Sequence, residues 1–267
     1  MKKILCLIVS CLCLTLGACK KNDNVIKVGA SSVPHGEILE EAKALLKAKG
    51  YDLEIIIFDD YVQPNIALKE KTIDANYFQH LPYLESFNKN NKADLVSVAK
   101  IHYEPLGLYG KNITSLEEAN KTILIPNDDS NGTRALILLA EAGLITIKKG
   151  KNVDTGVTIF DIENKNGFTI TELNAEIIPA TLLNSNKGTL AVINGNYALS
   201  ANININTALA KENSESEASV KYGNIIATRK ENEANDKIKA LVEVLTSEAI
   251  KNFIENKYKG AVVPFEK

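Results

Sequence analysis

Cysteine is missing from almost the whole chain. The four cysteines of the 267 residues are Cys6, Cys11, Cys13 and Cys19, so none follows position 19. A disulfide framework and a cysteine metal site are therefore excluded from residues 20–267. This part of the chain must be stabilised by its hydrophobic core, and it is long enough for one large or two modest domains.

Arginine is also scarce. Arg134 and Arg229 are the two arginines, and the formal net charge is −2. Nucleic-acid binding depends on clustered basic side chains that neutralise phosphates, so this composition excludes a nucleic-acid partner. Where a chain otherwise uses lysine, an arginine favours a role for the planar guanidinium, which can bind a carboxylate through two hydrogen bonds.

Catalytic motifs are missing as well. The sequence has no Gly-x-Ser-x-Gly elbow, no Walker loop and no Rossmann glycine fingerprint. The spacings of His35, His80 and His102 match no helical pair of metal ligands. We therefore expect no enzyme activity, no cofactor and no metal site. The alternative is an enzyme tethered to the cell envelope, which would need a nucleophile, base or metal that the sequence does not offer.

The N-terminal residues predict export. Lys2 and Lys3 precede an apolar run from Ile4 to Leu16, and small residues follow it. This order of charge, apolar core and small residues is typical of a secretory signal. The run is shorter than the roughly 20 residues that a membrane-spanning helix needs, so a permanent span is excluded.

The end of this signal resembles a bacterial lipobox, because it reads Leu-Gly-Ala-Cys. The resemblance implies a signal peptide over residues 1–18, acylation of Cys19 and a tether over residues 19–25. The mature chain would then be a membrane-anchored lipoprotein of the cell envelope, facing a periplasm or the exterior. An ordinary signal peptide, cut after Ala18 without a lipid, is the alternative.

Strand-like and helix-like segments alternate after the tether, which predicts an α/β fold with mostly parallel sheets. The polar segments 150–168 and 206–222 are predicted to be surface connections. Predicted strands are residues 26–30, 53–58, 95–99, 106–109, 122–125, 190–193 and 225–228; predicted helices are residues 36–49, 65–71, 84–90, 133–142, 236–246 and 247–257, with a helical turn at 197–201.

Aromatic residues concentrate between positions 61 and 83. Tyr61, Phe78, His80 and Tyr83 lie there, in a chain without tryptophan. Strand alternation places Phe78 and His80 on one side together with Asn76. This pattern indicates an aromatic slot with an imidazole at its rim, suited to a small ligand. An aromatic core patch beneath a strand-to-helix turn is the alternative.

Polar residues near three strand ends form the second group of candidates. Asn131 and Arg134 follow a strand at the start of a helix, where free N–H groups favour an anion. Asn194 and Asn224 lie at the ends of two further strands, where open α/β sheets place ligand groups. The alternatives are an exposed arginine and ordinary turn asparagines. For Arg229 we expect a structural ion pair.

These motifs together resemble the NlpA family of lipoproteins, and in particular its methionine-binding members that serve ABC importers. The resemblance implies a two-lobed periplasmic-binding-protein fold of type II, with two crossover segments. It places lobe 1 at residues 26–107 and 223–267, and lobe 2 at 108–222. The matching stretches, in family order, are Val28 to Ala30, Asp60 to Asn65, Asp74 to His80, Glu104 to Gly107, Pro126 to Asp128 with Asn131 and Arg134, Ala191 to Tyr197, and Tyr222 to Asn224.

The resemblance also implies a function without catalysis: capture of L-methionine or a close derivative in the cleft between the lobes. Delivery to an ABC transporter permease by a monomer would follow. The alternatives are a methionine-containing dipeptide, another small amino acid, or a surface lipoprotein that has lost transport. The resemblance implies that Asn131 and Arg134 bind the α-carboxylate. Asn194, Asn224 and His80 would hydrogen-bond the ammonium and the remaining carboxylate oxygen. The side chain of the ligand would pack on Tyr61, Phe78, His80 and Tyr83.

Overall fold

The computed structural model describes residues 24–213 and 220–265. The predicted signal peptide and Cys19 lie outside these residues. The helices are α1 Glu37–Ala48, α2 Gln63–Lys69, α3 Leu81–Asn91, α4 Asp129–Glu141, α5 Ile178–Leu183, α6 Gly195–Ser200, α7 Asp236–Leu245 and α8 Glu248–Tyr258. The strands are β1 Val25–Ala30, β2 Asp52–Ile57, β3 Ala75–His80, β4 Leu95–Tyr103, β5 Gly107–Gly110, β6 Thr122–Pro126, β7 Thr146–Ile147, β8 Ile162–Glu163, β9 Thr169–Leu173, β10 Leu190–Ile193, β11 Ala210–Lys211, β12 Asn224–Arg229 and β13 Val263–Pro264.

The strands form two main sheets. One has the order β13-β4-β12-β3-β1-β2 and the other β11-β5-β10-β6-β9, while β7 and β8 pair separately. The chain passes from the first sheet to the second between β4 and β5, and it returns between β11 and β12. We call each sheet with its packed helices a lobe. The residue bounds predicted for the lobes stay a prediction.

Both sheets are mixed, so the prediction of mostly parallel sheets is wrong. β1 runs parallel to β2 and β3, but β12 is antiparallel to both β3 and β4. In the second sheet, β5 is antiparallel to β10 and β11. The crossovers explain this pattern: β4 leaves the first sheet toward the second lobe and β12 enters from it, so the two strands run in opposite directions.

Each lobe has its own hydrophobic core. Helix α1 buries Ile38, Leu39 and Leu46 at helical spacing, and these side chains pack with residues of α7 and α8, among them Leu241 and Ile250. The second core lies between α4 and the strands β5, β6 and β10. Among the described residues, no helix is both long enough and apolar enough to cross a membrane.

Helix α4 begins at Asp129, four residues before the predicted start at position 133. Asp128, in an extended conformation, caps it by accepting the N–H of Asn131 at 2.9 Å on its Oδ1 atom. The prediction followed the apolar periodicity, which starts later than the capped first turn. Arg134 consequently lies in the second turn of the helix.

Two polar segments are more structured than the sequence predicts. Strand β9 reads Thr-Ile-Thr-Glu-Leu and lies at a sheet edge. Three of its five residues are exposed and none is buried, so few apolar residues are needed. In its described part, the predicted surface connection 206–222 contains β11 and the buried residues Glu212 and Tyr222. Glu212 can be buried because it pairs with the buried Arg134, a contact that composition alone does not reveal.

The core packing predicts a stability difference between two leucines. Leu241 has no exposed surface, whereas Leu183 is 52% exposed. We expect Leu241→Ala to lower the free energy of unfolding by about 2–5 kcal/mol, because it removes buried methylenes and leaves a cavity. The matched change Leu183→Ala should alter it by less than about 0.5 kcal/mol. Urea unfolding of both variants measures the two values, and equal losses would contradict this placement of the core.

Candidate functional site

A cleft between the two lobes brings together all eight ligand residues predicted from the sequence. It holds about 340 Å³ of space free of protein atoms, its open mouth included. The first lobe contributes mainly aromatic rings and the second mainly amides and a guanidinium. Its lining is formed by Tyr61, Phe78, Gln79, His80, Tyr83, Glu104, Asn131, Arg134, Asn194, Gly195, Asn196 and Asn224.

The aromatic wall consists of three rings in mutual contact. The Tyr61 ring centroid lies 5.9 Å from that of Phe78 and 5.8 Å from that of Tyr83. The Tyr83 hydroxyl donates to the backbone carbonyl of Tyr61 at 3.1 Å, which fixes the two rings relative to each other. From the second lobe, the Tyr197 ring contacts Tyr61 in a tilted arrangement, with the centroids 4.8 Å apart. The rings therefore form a preformed apolar surface.

The predicted alternation along β3 is interrupted at Phe78. Ile225 and Ile226 of β12 pair with Gln79 and Tyr77, so Phe78 is an extra residue without a partner in this register. Phe78 and His80 line the cleft as predicted. Asn76 does not line it; its buried side chain accepts from Gln79 Nε2 at 2.9 Å and donates to Asn65 Oδ1 at 2.8 Å.

His80 is a neutral hydrogen-bond donor at the rim of this wall. Its Nδ1 atom accepts the backbone N–H of Tyr83 and thereby caps α3, so the ring proton is on Nε2. His80 Nε2 donates to Asn131 Oδ1 across the cleft at 3.2 Å. Burial, and then the nearby Arg134, lower the pKa of His80 to about 3. The imidazole is thus uncharged at neutral pH.

Three donors meet at a single oxygen of the second lobe. Asp128 accepts the side-chain N–H groups of Asn131, which orients Asn131 Oδ1 into the cleft. Besides His80, Asn194 donates to this oxygen at 2.9 Å and Arg134 Nη1 donates at 3.3 Å. An amide oxygen has two lone pairs, so three donors exceed its capacity. The geometry can therefore accommodate a further acceptor, such as a ligand carboxylate.

Arg134 is buried, so the alternative of an exposed arginine is wrong. Its Nε and Nη2 atoms donate to the two carboxylate oxygens of Glu212 at 2.9 and 2.6 Å. The bidentate partner within the protein is thus Glu212, a residue that sequence reasoning missed. Burial raises the pKa of Glu212, but the Arg134 guanidinium outweighs burial and holds that pKa below its usual value. Both groups of the pair are therefore charged.

Glu104 is the second functional candidate that the sequence left without a role. It lines the cleft and is 5% exposed. His102 Nε2 donates to Glu104 Oε1 at 2.6 Å, and the Tyr77 hydroxyl hydrogen-bonds His102 Nδ1. Burial lowers the pKa of His102 to about 3 and raises the pKa of Glu104. The family-like stretch Glu104 to Gly107 was the only sequence signal for this carboxyl group.

His35, His102 and Glu104 are the described residues whose ligand atoms lie close enough together to hold a metal ion, all within 4.8 Å. The 2.6 Å between His102 Nε2 and Glu104 Oε1 is a hydrogen-bond length. Ligands about 2.0–2.1 Å from a tetrahedral metal lie about 3.3 Å from each other. The spacing of His102 and Glu104 is therefore that of a hydrogen bond, and His35 Nε2 lies 3.4 Å from Glu104 Oε1.

The asparagines line the cleft rather than stabilising turns. Asn194 precedes α6 but makes no capping hydrogen bond with its side chain. Asn224 Oδ1 accepts from His35 Nε2 at 3.0 Å, which leaves the Asn224 amide N–H groups for the cleft. The turn alternative is therefore wrong for Asn194, and Asn224 begins β12 with its side chain held by a buried histidine.

Two buried polar atoms of the cleft have no hydrogen-bond partner among the described residues: the acceptor Asn194 Oδ1 and the donor Asn196 Nδ2. An unpaired buried polar group costs about 1–3 kcal/mol. A ligand that offers both a donor and an acceptor would satisfy the two atoms.

Arg229 lies away from the cleft. Its Nη1 atom donates to the backbone carbonyls of Leu68 and Ile73, and its Nε atom lies 3.3 Å from Glu231 Oε1. The predicted structural ion pair is confirmed.

Comparison with known proteins identifies relatives along nearly the whole chain. The NlpA lipoprotein family model matches residues 26–266. The methionine-binding lipoprotein MetQ of Bacillus subtilis is 40% identical over 260 residues, which cover 93% of each chain. The membrane lipoprotein TpN32 of Treponema pallidum is 34% identical and covers 90% of this chain and 88% of its own length.

The fold is shared with solved structures of similar sequence. A nutrient-binding protein from Burkholderia cenocepacia bound to methionine superposes with a TM-score of 0.83 and 36% identity, covering 90% of this chain and 100% of that one. The predicted α/β, two-lobed binding-protein fold is confirmed.

The Arg134–Glu212 pair predicts a non-additive effect on stability. Arg134→Met should lower the free energy of unfolding by about 3–5 kcal/mol, because it leaves the Glu212 carboxylate buried without its cation. Adding Glu212→Gln removes that charge, so the double variant should be more stable than Arg134→Met by at least about 1 kcal/mol. Urea unfolding at pH 7 measures both. A double variant less stable than Arg134→Met would contradict the pairing.

Proposed function

The chain belongs to the NlpA lipoprotein family, and from this we propose that it captures L-methionine, or a close derivative, for an ABC importer. Its role is that of a substrate-binding protein. A binding protein needs a cleft whose walls come from two lobes and whose polar groups match one small ligand. The cleft lies between the two sheets and is lined by buried polar side chains, which supports the proposal.

The observation that carries this proposal is the pair of unsatisfied buried atoms in the cleft. Asn194 Oδ1 lacks a donor and Asn196 Nδ2 lacks an acceptor among the described residues. An α-amino acid carries an ammonium and a carboxylate on one carbon, so it supplies a donor and an acceptor at adjacent positions. Satisfying both atoms removes a desolvation cost that an apolar ligand would leave in place.

Glu104 and Asn194 Oδ1 are the groups that we assign to the ammonium. Glu104 is the carboxyl group among the residues that line the cleft. A buried carboxylate facing a cation favours its charged form. The carboxylate of the ligand is assigned to donors that converge nearby: Arg134 Nη1, His80 Nε2 and the amides of Asn196 and Asn224.

The side chain of the ligand is assigned to the aromatic wall. Tyr61, Phe78 and Tyr83 offer ring faces and edges at the cleft. A thioether in contact with an aromatic ring contributes about 0.3–1.5 kcal/mol per contact. This chemistry favours methionine over amino acids whose side chains are short or charged.

We further propose that the protein acts at a membrane surface without catalysing a reaction. The predicted acylation of Cys19 would hold it there. Each buried methylene of an acyl chain contributes about 0.8 kcal/mol, and stable anchoring needs more than one chain. The proposed partner is an ABC transporter permease that receives the ligand from a monomer. Closure of the lobes on the ligand would distinguish the loaded form from the free form.

Thermal-shift measurements with the twenty amino acids and methionine derivatives test the proposal. A ligand that binds only the native state raises the apparent stability according to its concentration relative to the dissociation constant. We expect the largest shift with L-methionine or a derivative of it. A screen without any shift would contradict the proposal and favour a surface lipoprotein that has lost transport.

Phe78→Ala should weaken methionine binding about tenfold to a hundredfold, since one wall of the side-chain slot is lost. The selectivity for methionine over alanine should fall with it, because alanine is too short to fill the slot. Phe160→Ala is the matched control, with Phe160 81% exposed. Calorimetry with both ligands measures the ratio, and an unchanged selectivity would contradict the assignment of the aromatic wall.

Methionine affinity should fall as the pH is lowered. Burial raises the pKa of Glu104, and a bound ammonium lowers it again, so binding releases a proton from any protonated Glu104. As the pH falls through the raised pKa, protons compete with the ligand. Titrations from pH 7 to pH 5, a range in which the ligand amine stays charged, should show this dependence in the wild type.

Glu104→Gln is the control for that pH dependence. The variant should bind more weakly and with nearly constant affinity over the same range. The pKa values of His35, His80 and His102 are about 4, 3 and 3. They lie below this pH range, so the three imidazoles stay neutral throughout the titration. An unchanged slope in Glu104→Gln would assign the titration to another group.

A further inference from the structure

The positive charge of Arg134 is already balanced inside the protein. The contacts among the described residues use four of its five N–H donors: two on Glu212, one on the Glu104 backbone carbonyl and one on Asn131 Oδ1. A ligand carboxylate at this point therefore meets a guanidinium that has one N–H left and a carboxylate beside it. Its Coulomb attraction to the protein is correspondingly reduced.

Glu212 is held in place without any contribution from a ligand. The Tyr103 hydroxyl and the backbone N–H of Leu106 donate to its Oε2 atom at 2.7 and 2.9 Å. Both donors flank the passage from β4 to β5, and Glu212 itself follows β11, at the start of the return to the first sheet. The pair with Arg134 is consequently part of the connection between the lobes and is fixed before binding.

At the opposite end of the ligand the charge is not balanced. The hydrogen-bond partners of the Glu104 carboxyl group are His102 Nε2 and the backbone N–H of Asn196, with His35 Nε2 at 3.4 Å. Both imidazoles are neutral near pH 7. These partners give the carboxyl group dipoles rather than a full positive charge. The Arg134 guanidinium also lowers the pKa of Glu104, but Arg134 is already paired with Glu212, so a ligand ammonium would supply a cation that is not paired elsewhere.

We propose that Glu212 is a positioning residue that sets the selectivity of the cleft, making the ammonium the dominant charged anchor and the carboxylate a secondary one. This inference rests on the proposed function. The cleft then accepts α-amino thioethers whose carboxylate is replaced by an uncharged amide, and it rejects thioether carboxylates that lack the amine. Arg134 orients the carboxylate end through hydrogen bonds more than it attracts it through charge.

Three ligands distinguish the contribution of the ammonium from that of the carboxylate. L-methionine has both groups, L-methioninamide lacks the carboxylate, and 4-(methylthio)butanoate lacks the ammonium. Calorimetry at pH 6.5 keeps the amines charged, since an α-amino pKa is about 7.7–8.0. We expect the amide to bind the wild type within about tenfold of methionine and the butanoate to bind more than about a hundredfold more weakly. The reverse order of the two analogues overturns the inference.

Glu212→Gln tests the residue itself. Without the carboxylate, the charge of Arg134 is no longer offset, so the ratio of the dissociation constants of amide and methionine should rise at least about tenfold. A residue with a merely structural role would weaken both ligands equally and leave this ratio unchanged. Glu141→Gln, which removes an equal charge from an exposed position of α4, is the matched control.

Each outcome decides between the inference and the function on which it rests. If methionine binds but the ratio is the same in Glu212→Gln and the wild type, the inference is wrong and the proposed function stands. If none of the three ligands binds the wild type, both are wrong. If Glu212→Gln does not fold, the order of the two analogues in the wild type decides alone.

Discussion

The buried ion pair between Arg134 and Glu212 connects the parts of the chain on which the cleft depends. Arg134 belongs to α4 of the second lobe, and Glu212 lies where the chain leaves that lobe. The same carboxylate accepts from Tyr103 and Leu106 at the first crossover. Burying two charges is costly unless each is fully hydrogen-bonded, and here every oxygen of Glu212 has a donor. The pair therefore fixes both crossovers and one wall of the cleft together.

The two walls of the cleft offer different kinds of contact to a ligand. The first lobe contributes rings that are packed against each other, so little side-chain entropy is lost when a ligand meets them. The second lobe contributes amides whose orientation is set by Asp128 and by strand ends. Two hydrogen bonds join the walls: His80 Nε2 donates to Asn131 Oδ1, and the Tyr61 hydroxyl donates to Asn196 Oδ1 at 2.5 Å. Such contacts make the ligand site dependent on the relative position of the lobes.

Much of the architecture could be predicted from local patterns. The apolar face of α1, the buried strand β10 and the paired helices α7 and α8 follow from periodicity and from glycine and proline positions. Predictions failed where a tertiary contact overrides the pattern. The bulge at Phe78 comes from pairing with β12, and the mixed sheets come from crossovers that are distant in sequence. Strand β9 has too few apolar residues to be recognised as a strand.

The sequence by itself excluded a disulfide framework and a cysteine metal site from residues 20–267, and it identified eight residues as candidates for the ligand. Rare residue types such as Arg134 and clusters such as Phe78 with His80 are visible without coordinates. Only the tertiary structure decided their partners. Glu212 is 78 positions from Arg134 and lies in a polar segment that is typical of a surface loop. Charge pairing over such a separation depends on how the sheets pack, and periodicity reports only local backbone geometry and one-sided burial.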